Sequence, residues 1–172
     1  MSGNKTARRT IGGRVAASVA AAATVLAALV WVLSTDRATA IVRRMFAVAT
    51  SAVLNVLGNH TAAQGTDIVS SGFGISVVTA CTGLFVTGLF LAAVAAFPAS
   101  WRARLAGAGI GLAGLFVLNV FRLASLYYVG LYWPSALDVI HQLVWQSLVI
   151  AFAVALWLLW AGRAEPARRR SA

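Results

Sequence analysis

The chain has 172 residues, 60% hydrophobic and only 10% charged, with a mean hydropathy of +0.85. Soluble domains carry about 25% charged and about 45–50% apolar residues, so this composition excludes an ordinary soluble domain, a disordered chain and a coiled coil. Net charge is +10, from 14 Lys and Arg against 4 Asp and Glu, but the basic residues flank apolar runs, which is the pattern of membrane topology rather than of nucleic-acid binding.

A helix needs about 20 apolar residues to cross a hydrocarbon core of about 30 Å. Four stretches meet or approach that length: Val15 to Leu33, Thr82 to Phe97 (closed by Pro98), Leu105 to Val129, and Ile140 to Ala161. In lipid every backbone polar group must be paired internally, so all four are read as helices. The first follows a basic segment, and Ala38-Thr39-Ala40 resembles a signal-peptide cleavage site. Its apolar run exceeds the usual 7–15 residues of a signal peptide, so an uncleaved anchor is expected.

Orientation follows from the basic residues. Lys5, Arg8, Arg9, Arg14, Arg102, Arg104, Arg163, Arg168, Arg169 and Arg170 share one side, while Arg37, Arg43 and Arg44 lie on the other. The bias places both termini in the cytoplasm. Residues 1–14 are then a cytoplasmic N-terminus, 34–80 an outer loop, and 163–172 a cytoplasmic tail that is expected to be disordered from Glu165.

Within the outer loop, Ala38 to Leu57 carries apolar residues at near-helical spacing, among them Val42, Met45, Phe46, Ala49, Val53 and Leu54. The spacing predicts an amphipathic helix on the outer surface or packed on the bundle, with a short inserted segment as the alternative. Thr66 to Ser70 and Gly74 to Thr79 are β-prone, and Ser71-Gly72-Phe73 between them supplies turn chemistry. They predict a small β-hairpin that leads into the second span. The fold expected over 1–172 is a single all-α polytopic membrane domain with four transmembrane helices, this amphipathic helix and the hairpin.

Against that apolar background a few residues stand out. Arg122 lies in the third span, where a charge costs on the order of 2.5–3.5 kcal/mol at mid-bilayer. Asn119 is three residues earlier and shares its face. Both could be structural, the arginine snorkelling to headgroups and the asparagine bonding between helices. Cys81, the single cysteine, sits where the hairpin meets a helix start, a position that favours thiolate. His141 heads the fourth span, and Asp138 before it is a candidate N-cap or a partner for the imidazole. Cys81, Arg122 and His141 all fall at the outer leaflet. Together they offer a thiol nucleophile, a proton-transferring imidazole and a fixed cation.

Gly107, Gly109, Gly111 and Gly114 allow close helix approach in the third span. Tyr127, Tyr128, Tyr132, Trp133 and Trp145 are read as an outer aromatic belt, and Trp101 and Trp160 as inner anchors. The spacing of Cys81 and the two histidines gives no metal pattern and there is no phosphate loop, so no cofactor is expected. His60 is assigned no catalytic role.

The ordered set Ala80-Cys81-Thr82-Gly83, Asn119-Val120-Phe121-Arg122 and His141 resembles the exosortase/archaeosortase family of membrane cysteine transpeptidases, over about Gly58 to Trp160. The resemblance implies Cys81 as nucleophile, His141 as general acid/base and Arg122 as electrostatic stabiliser; Asn119 and Asp138 are read as supporting residues. It implies as substrate a secreted protein whose C-terminal signal comprises a motif, a transmembrane helix and a basic tail, cut through a thioester at the outer face of the cell membrane. The contrasting expectations are a non-enzymatic membrane assembly or chaperone subunit, in which Arg122 and Asn119 only hold helices together, and a small transporter or channel subunit. The transporter requires a polar stripe through the bilayer, which the Gly, Ala and Leu of the inner third span do not supply.

Overall fold

The computed structural model describes the backbone of residues 3–164 and the side chains of 13 and 15–164. The side chains of Lys5, Arg8, Arg9 and Arg14, and the tail from Glu165 with its arginines, lie outside the described residues. Helix α1 covers Gly3–Ser34, and after Thr35 the chain enters α2, Asp36–Val56. Three short strands follow: β1 (Ala62–Gln64), β2 (Asp67–Val69) and β3 (Gly74–Ser76). A 3-10 turn, Thr79–Thr82, then leads through Gly83 into α3, Leu84–Ala96, and α4 covers Trp101–Tyr132. The terminal helix runs from Pro134 to Arg163. It opens as a 3-10 turn (Pro134–Ala136), passes one short α segment (Leu137–Val139) and a π-helical stretch (Ile140–Trp145), and continues as α-helix over Gln146–Arg163.

The protein is a polytopic, mostly helical membrane protein. By length and composition four helical segments can cross a bilayer: Val15–Ser34, Asp36–Val56, Trp101–Tyr132 and Pro134–Arg163. Three of them coincide with predicted spans. The other predicted span, α3, has 13 residues, or about 20 Å at ~1.5 Å per residue. The 3-10 turn ahead of it adds up to about 8 Å at ~2 Å per residue, which brings the segment close to spanning length.

Packing decides between α2 and α3 as a crossing. Leu29 of α1 lies against Gly88 of α3, and Ser18 accepts a bond from Arg104 of α4, whose Nε donates to the Phe97 carbonyl just past the far end of α3, so α1 and α3 run antiparallel. Helix α2 runs alongside α4 in the same direction: Phe46 meets Phe116 (ring centroids 4.9 Å), and Asn59, just past α2, donates to the Tyr128 hydroxyl at 2.6 Å. Leu33 at the end of α1 shares a cavity with Thr79 and Ala80. The end of α1, the sheet, the cysteine turn and the end of α4 thus lie together at one end of the molecule. A crossing by α2 would have separated them. Helix α2 is the expected accessory helix packed on the bundle, although its apolar residues divide. Phe46, Ala47 and Leu54 are buried, whereas Ile41, Met45 and Val48 are exposed.

The sheet is antiparallel in the order β1-β2-β3. The predicted hairpin is present, with Ile68 opposite Ile75, and β1 is an addition to it, with Ala63 opposite Ile68. Gly65, at φ +66°, makes the tight turn between β1 and β2, a conformation glycine adopts without steric cost. Strands this short cannot stand alone. Buried Ile68 and Val77 seat the sheet on α2 and α4. Ser51 and Asn55 of α2 both bond Thr61, just before β1. The Phe73 ring rests on Gly130, where a Cβ would overlap it, and Tyr127 donates to Ser70 at 2.9 Å.

Several expectations are corrected by which face of a helix is buried. Tyr127 is not part of an aromatic belt but a buried clamp on the sheet, while Tyr132 and Trp133 are exposed. Trp101 is exposed as an interface anchor would be, but Trp160 is buried, donates to the Ala103 carbonyl at 2.9 Å and covers Gly107. Gly111 seats Phe90 and Gly114 faces Leu156 and Phe152, so these glycines serve internal packing; Gly109 is open.

Candidate active site

Cys81 ends up inside the protein. It is 7% exposed and packs with Phe46, Ile68, Val77, Leu123 and Ala124. The turn that carries it is held from two directions. The Thr82 hydroxyl donates to the Thr79 carbonyl at 2.7 Å and accepts from the Leu84 amide at 3.4 Å. Asn119, 1% exposed on α4, donates through Nδ2 to the Thr82 carbonyl at 2.9 Å.

Gly83 then reverses the chain at φ +63°, and a Cβ there would overlap the Asn119 amide nitrogen. Glycine is required at this point both for its left-handed backbone and for the close approach. Sequence reasoning singled out Cys81 and Asn119 but gave Thr82 and Gly83 no task. The signal available was the Thr-Gly pair directly after the cysteine, a helix-entry pair in an otherwise apolar segment.

His141 comes from the π-helical stretch. Its Nε2 lies 3.1 Å from Cys81 Sγ, across 60 residues of sequence. With Nε2 facing the thiol, the tautomer protonated at Nδ1 leaves Nε2 to accept the S–H. The π geometry is what permits the contact. Val149, Ala153 and Trp160 mark the buried face of the terminal helix. At about 100° per residue, an uninterrupted helix would set His141 about 80° off Val149. One residue absorbed by a π-bulge leaves about 20°. Such bulges occur often at functional sites.

Arg122 is 2% exposed, so it does not snorkel to a headgroup. Its Nη2 donates to the His141 carbonyl at 3.4 Å, and its Nε has no partner among the described residues. A buried guanidinium with unfilled donors is costly unless an anion completes it. Asp138 is not brought into the site as an N-cap. The helical run starts at Pro134, four residues earlier, and Asp138 is exposed with no side-chain cap bond.

Cys81 lies before Gly83 and not on the first turn of α3, so the helix start is not where the sequence reading placed it relative to the thiol. The arrangement holds the thiol against an imidazole acceptor, with a buried cation bonded to the His141 carbonyl.

Among the described residues no three His, Cys, Asp or Glu side chains gather, so none could hold a metal as a protein ligand set. His60 lines a separate open polar groove of about 640 Å³ with Asn55, Asn59, Thr61 and Ser70.

Comparison with curated proteins and with solved structures gives no match. The family described as Transmembrane exosortase (Exosortase_EpsH) matches residues 10–161, a range that contains every element from α2 to the end of α4 and nearly all of the terminal helix. The chain therefore belongs to the transmembrane exosortase family.

Proposed function

We propose that this protein is a membrane cysteine transpeptidase that cuts C-terminal sorting signals of secreted proteins. The observation that carries the reading is the 3.1 Å contact between Cys81 Sγ and His141 Nε2, made inside a chain of the exosortase family. The end bearing Cys81 faces outward, because Arg102, Arg104 and Arg163 mark the opposite end and basic residues are retained in the cytoplasm.

His141 removes the thiol proton as sulfur attacks the scissile carbonyl carbon. The C–S bond forms, and the carbonyl becomes an oxyanion that Arg122 stabilises. Collapse breaks the C–N bond, and the proton held by His141 goes to the leaving amine. The C-terminal transmembrane helix departs and the secreted part stays on Cys81 as a thioester. An acceptor amine, or water, then attacks that carbonyl while His141 takes its proton, and the thiol is restored. His141 touches the reacting sulfur and Arg122 is assigned to the oxyanion, whereas Asn119, Thr82 and Gly83 are positioning residues.

The test uses secreted reporters ending in short motif, transmembrane helix and basic tail segments taken from secreted proteins of the same genome. The expected result is cleavage by the wild type, with a hydroxylamine-labile adduct between the enzyme and the reporter's N-terminal part. Cys81→Ala should abolish both. Undiminished cleavage by Cys81→Ala would remove the reading and favour a non-enzymatic assembly role.

A further inference from the structure

The substrate of this reaction lies partly in the bilayer, so the way to Cys81 matters. The cluster buried with Cys81 is supplied by α2 at Phe46 and Ala47, by the sheet at Ile68 and Val77, and by α4 at Leu123 and Ala124, with no residue of α1 or the terminal helix. The side left is the one between α1 and the terminal helix, where α3 has an unpartnered stripe. Phe85 and Leu89, one turn apart, are 58% and 46% exposed. On the helix wheel at ~100° per residue, Gly88 lies about 60° to one side of Phe85 and Val86 about 100° to the other. Gly88 is covered by Leu29 of α1, and Val86 joins the cluster built with Ala153 and Leu156 of the terminal helix. Phe85 and Leu89 therefore floor a lipid-facing groove walled by these two helices.

The groove ends beside the turn that carries Cys81. A cavity of about 120 Å³ is lined by Leu33 of α1, Thr79, Ala80 and Gly83 around the cysteine, Phe85 of α3 and Gln146 of the terminal helix. That volume is about four times the ~30 Å³ share of a liquid water, enough for one medium-sized apolar side chain. Gln146 brings the single carboxamide to this lining, and its side chain has no hydrogen-bond partner among the described residues.

We infer that the groove over Phe85 and Leu89 takes the substrate's transmembrane helix, and that the cavity takes the residue flanking the scissile bond on the helix side, with Gln146 bonding its peptide group. The inference rests on the transpeptidase reading. Three observations favour this occupant over a lipid chain. The groove reaches the turn that carries the nucleophile, the cluster buried with Cys81 is supplied by α2, the sheet and α4, and an amide is available at the one place where a transmembrane helix must unwind to expose a peptide bond. In lipid a polypeptide keeps its backbone bonds internal. Unwinding one residue at the interface frees a carbonyl and an amide, and Gln146 can pair with either.

The test places a photoreactive benzoylphenylalanine at Phe85, Leu89 or Phe121 in the Cys81→Ala enzyme, with a reporter that the wild type cleaves. Phe121 is equally lipid-exposed, at 61%, but lies on α4. Cross-links to the reporter's transmembrane segment are expected from positions 85 and 89 and not from 121. Gln146→Leu should lower reporter cleavage about tenfold, the loss of one hydrogen bond of ~1.4 kcal/mol, while leaving the alkylation rate of Cys81 by a small maleimide unchanged. Cross-links from 121 alone, or none from 85 and 89 with a cleaved reporter, would overturn the inference and leave the groove to lipid. A wild type that cleaves no reporter would remove the transpeptidase reading and this inference with it.

Discussion

Inserting one alanine after Leu143 should disable the site without disturbing the bundle. Leu143 lies in the π-helical stretch and is 68% exposed, so the insertion disturbs no core contact. With the π stretch already absorbing one residue, the added residue rotates everything before it by about 100° relative to the buried Val149 face. A side chain about 5–6 Å from the helix axis then travels roughly 8 Å. The Cys81–His141 contact, now 3.1 Å, would be lost. Removal of a general base costs typically 10²–10⁴ in rate, so reporter cleavage should fall to the level of His141→Ala. Deleting Leu143 lets the segment close as ordinary α-helix with His141 still about 20° off Val149, so the deletion should keep cleavage, as should Leu143→Ala, within about twofold of wild type. Membrane insertion and thermal stability in detergent should be preserved in all three. An insertion variant that cleaves normally would refute the claim that the register of the π stretch positions His141. So would a Leu143→Ala variant as inactive as the insertion.

Other expectations follow from particular contacts. Gly83→Ala should be strongly destabilising, because a left-handed non-glycine residue costs about 1–3 kcal/mol before the overlap with Asn119 is counted. Adding Asn119→Ala should relieve the overlap and recover part of the melting temperature, whereas additive losses would show that the two residues do not meet. Trp160→Phe removes the bond to the Ala103 carbonyl and should lower stability by about 1 kcal/mol with cleavage unchanged; a loss of activity at constant stability would contradict its purely packing role. Asp138→Asn should leave the melting temperature within about 1 °C of wild type, since the side chain caps nothing and exposed substitutions away from such features are usually worth under ~0.5 kcal/mol. A clear drop would restore it as a cap.

The parts of this protein legible in its sequence are those where residue type contradicts surroundings. Arg122, Asn119 and His141 announce themselves because polar groups in apolar helices need a reason, and the hairpin because Thr66 to Ser70 and Gly74 to Thr79 are bounded by turn residues. What stayed hidden depends on phase and facing. The strand Ala62–Gln64 has neither β-branched residues nor alternation, and exists only because β2 and α2 pair with it. Trp160 and Tyr127 sit near helix ends, but their distance along the helix does not say which way each ring points. The π stretch adds no unusual residue; it is a shift of register, visible only once Val149 and His141 are seen from one side. Asp138 looked like a cap because Pro134 was not read as the start of the helix.

The central claim is a thiol–imidazole pair, open to the outside and influenced by Arg122. The most direct measurement is the rate at which a membrane-impermeant maleimide labels Cys81 in intact cells as a function of pH, in the wild type, His141→Ala and Arg122→Ala. Labelling should occur from outside. Its midpoint should move higher in Arg122→Ala, where a neighbouring positive charge that favours the thiolate is gone. His141→Ala should slow labelling at neutral pH. Labelling only after permeabilisation, or a profile that neither substitution alters, would contradict the account.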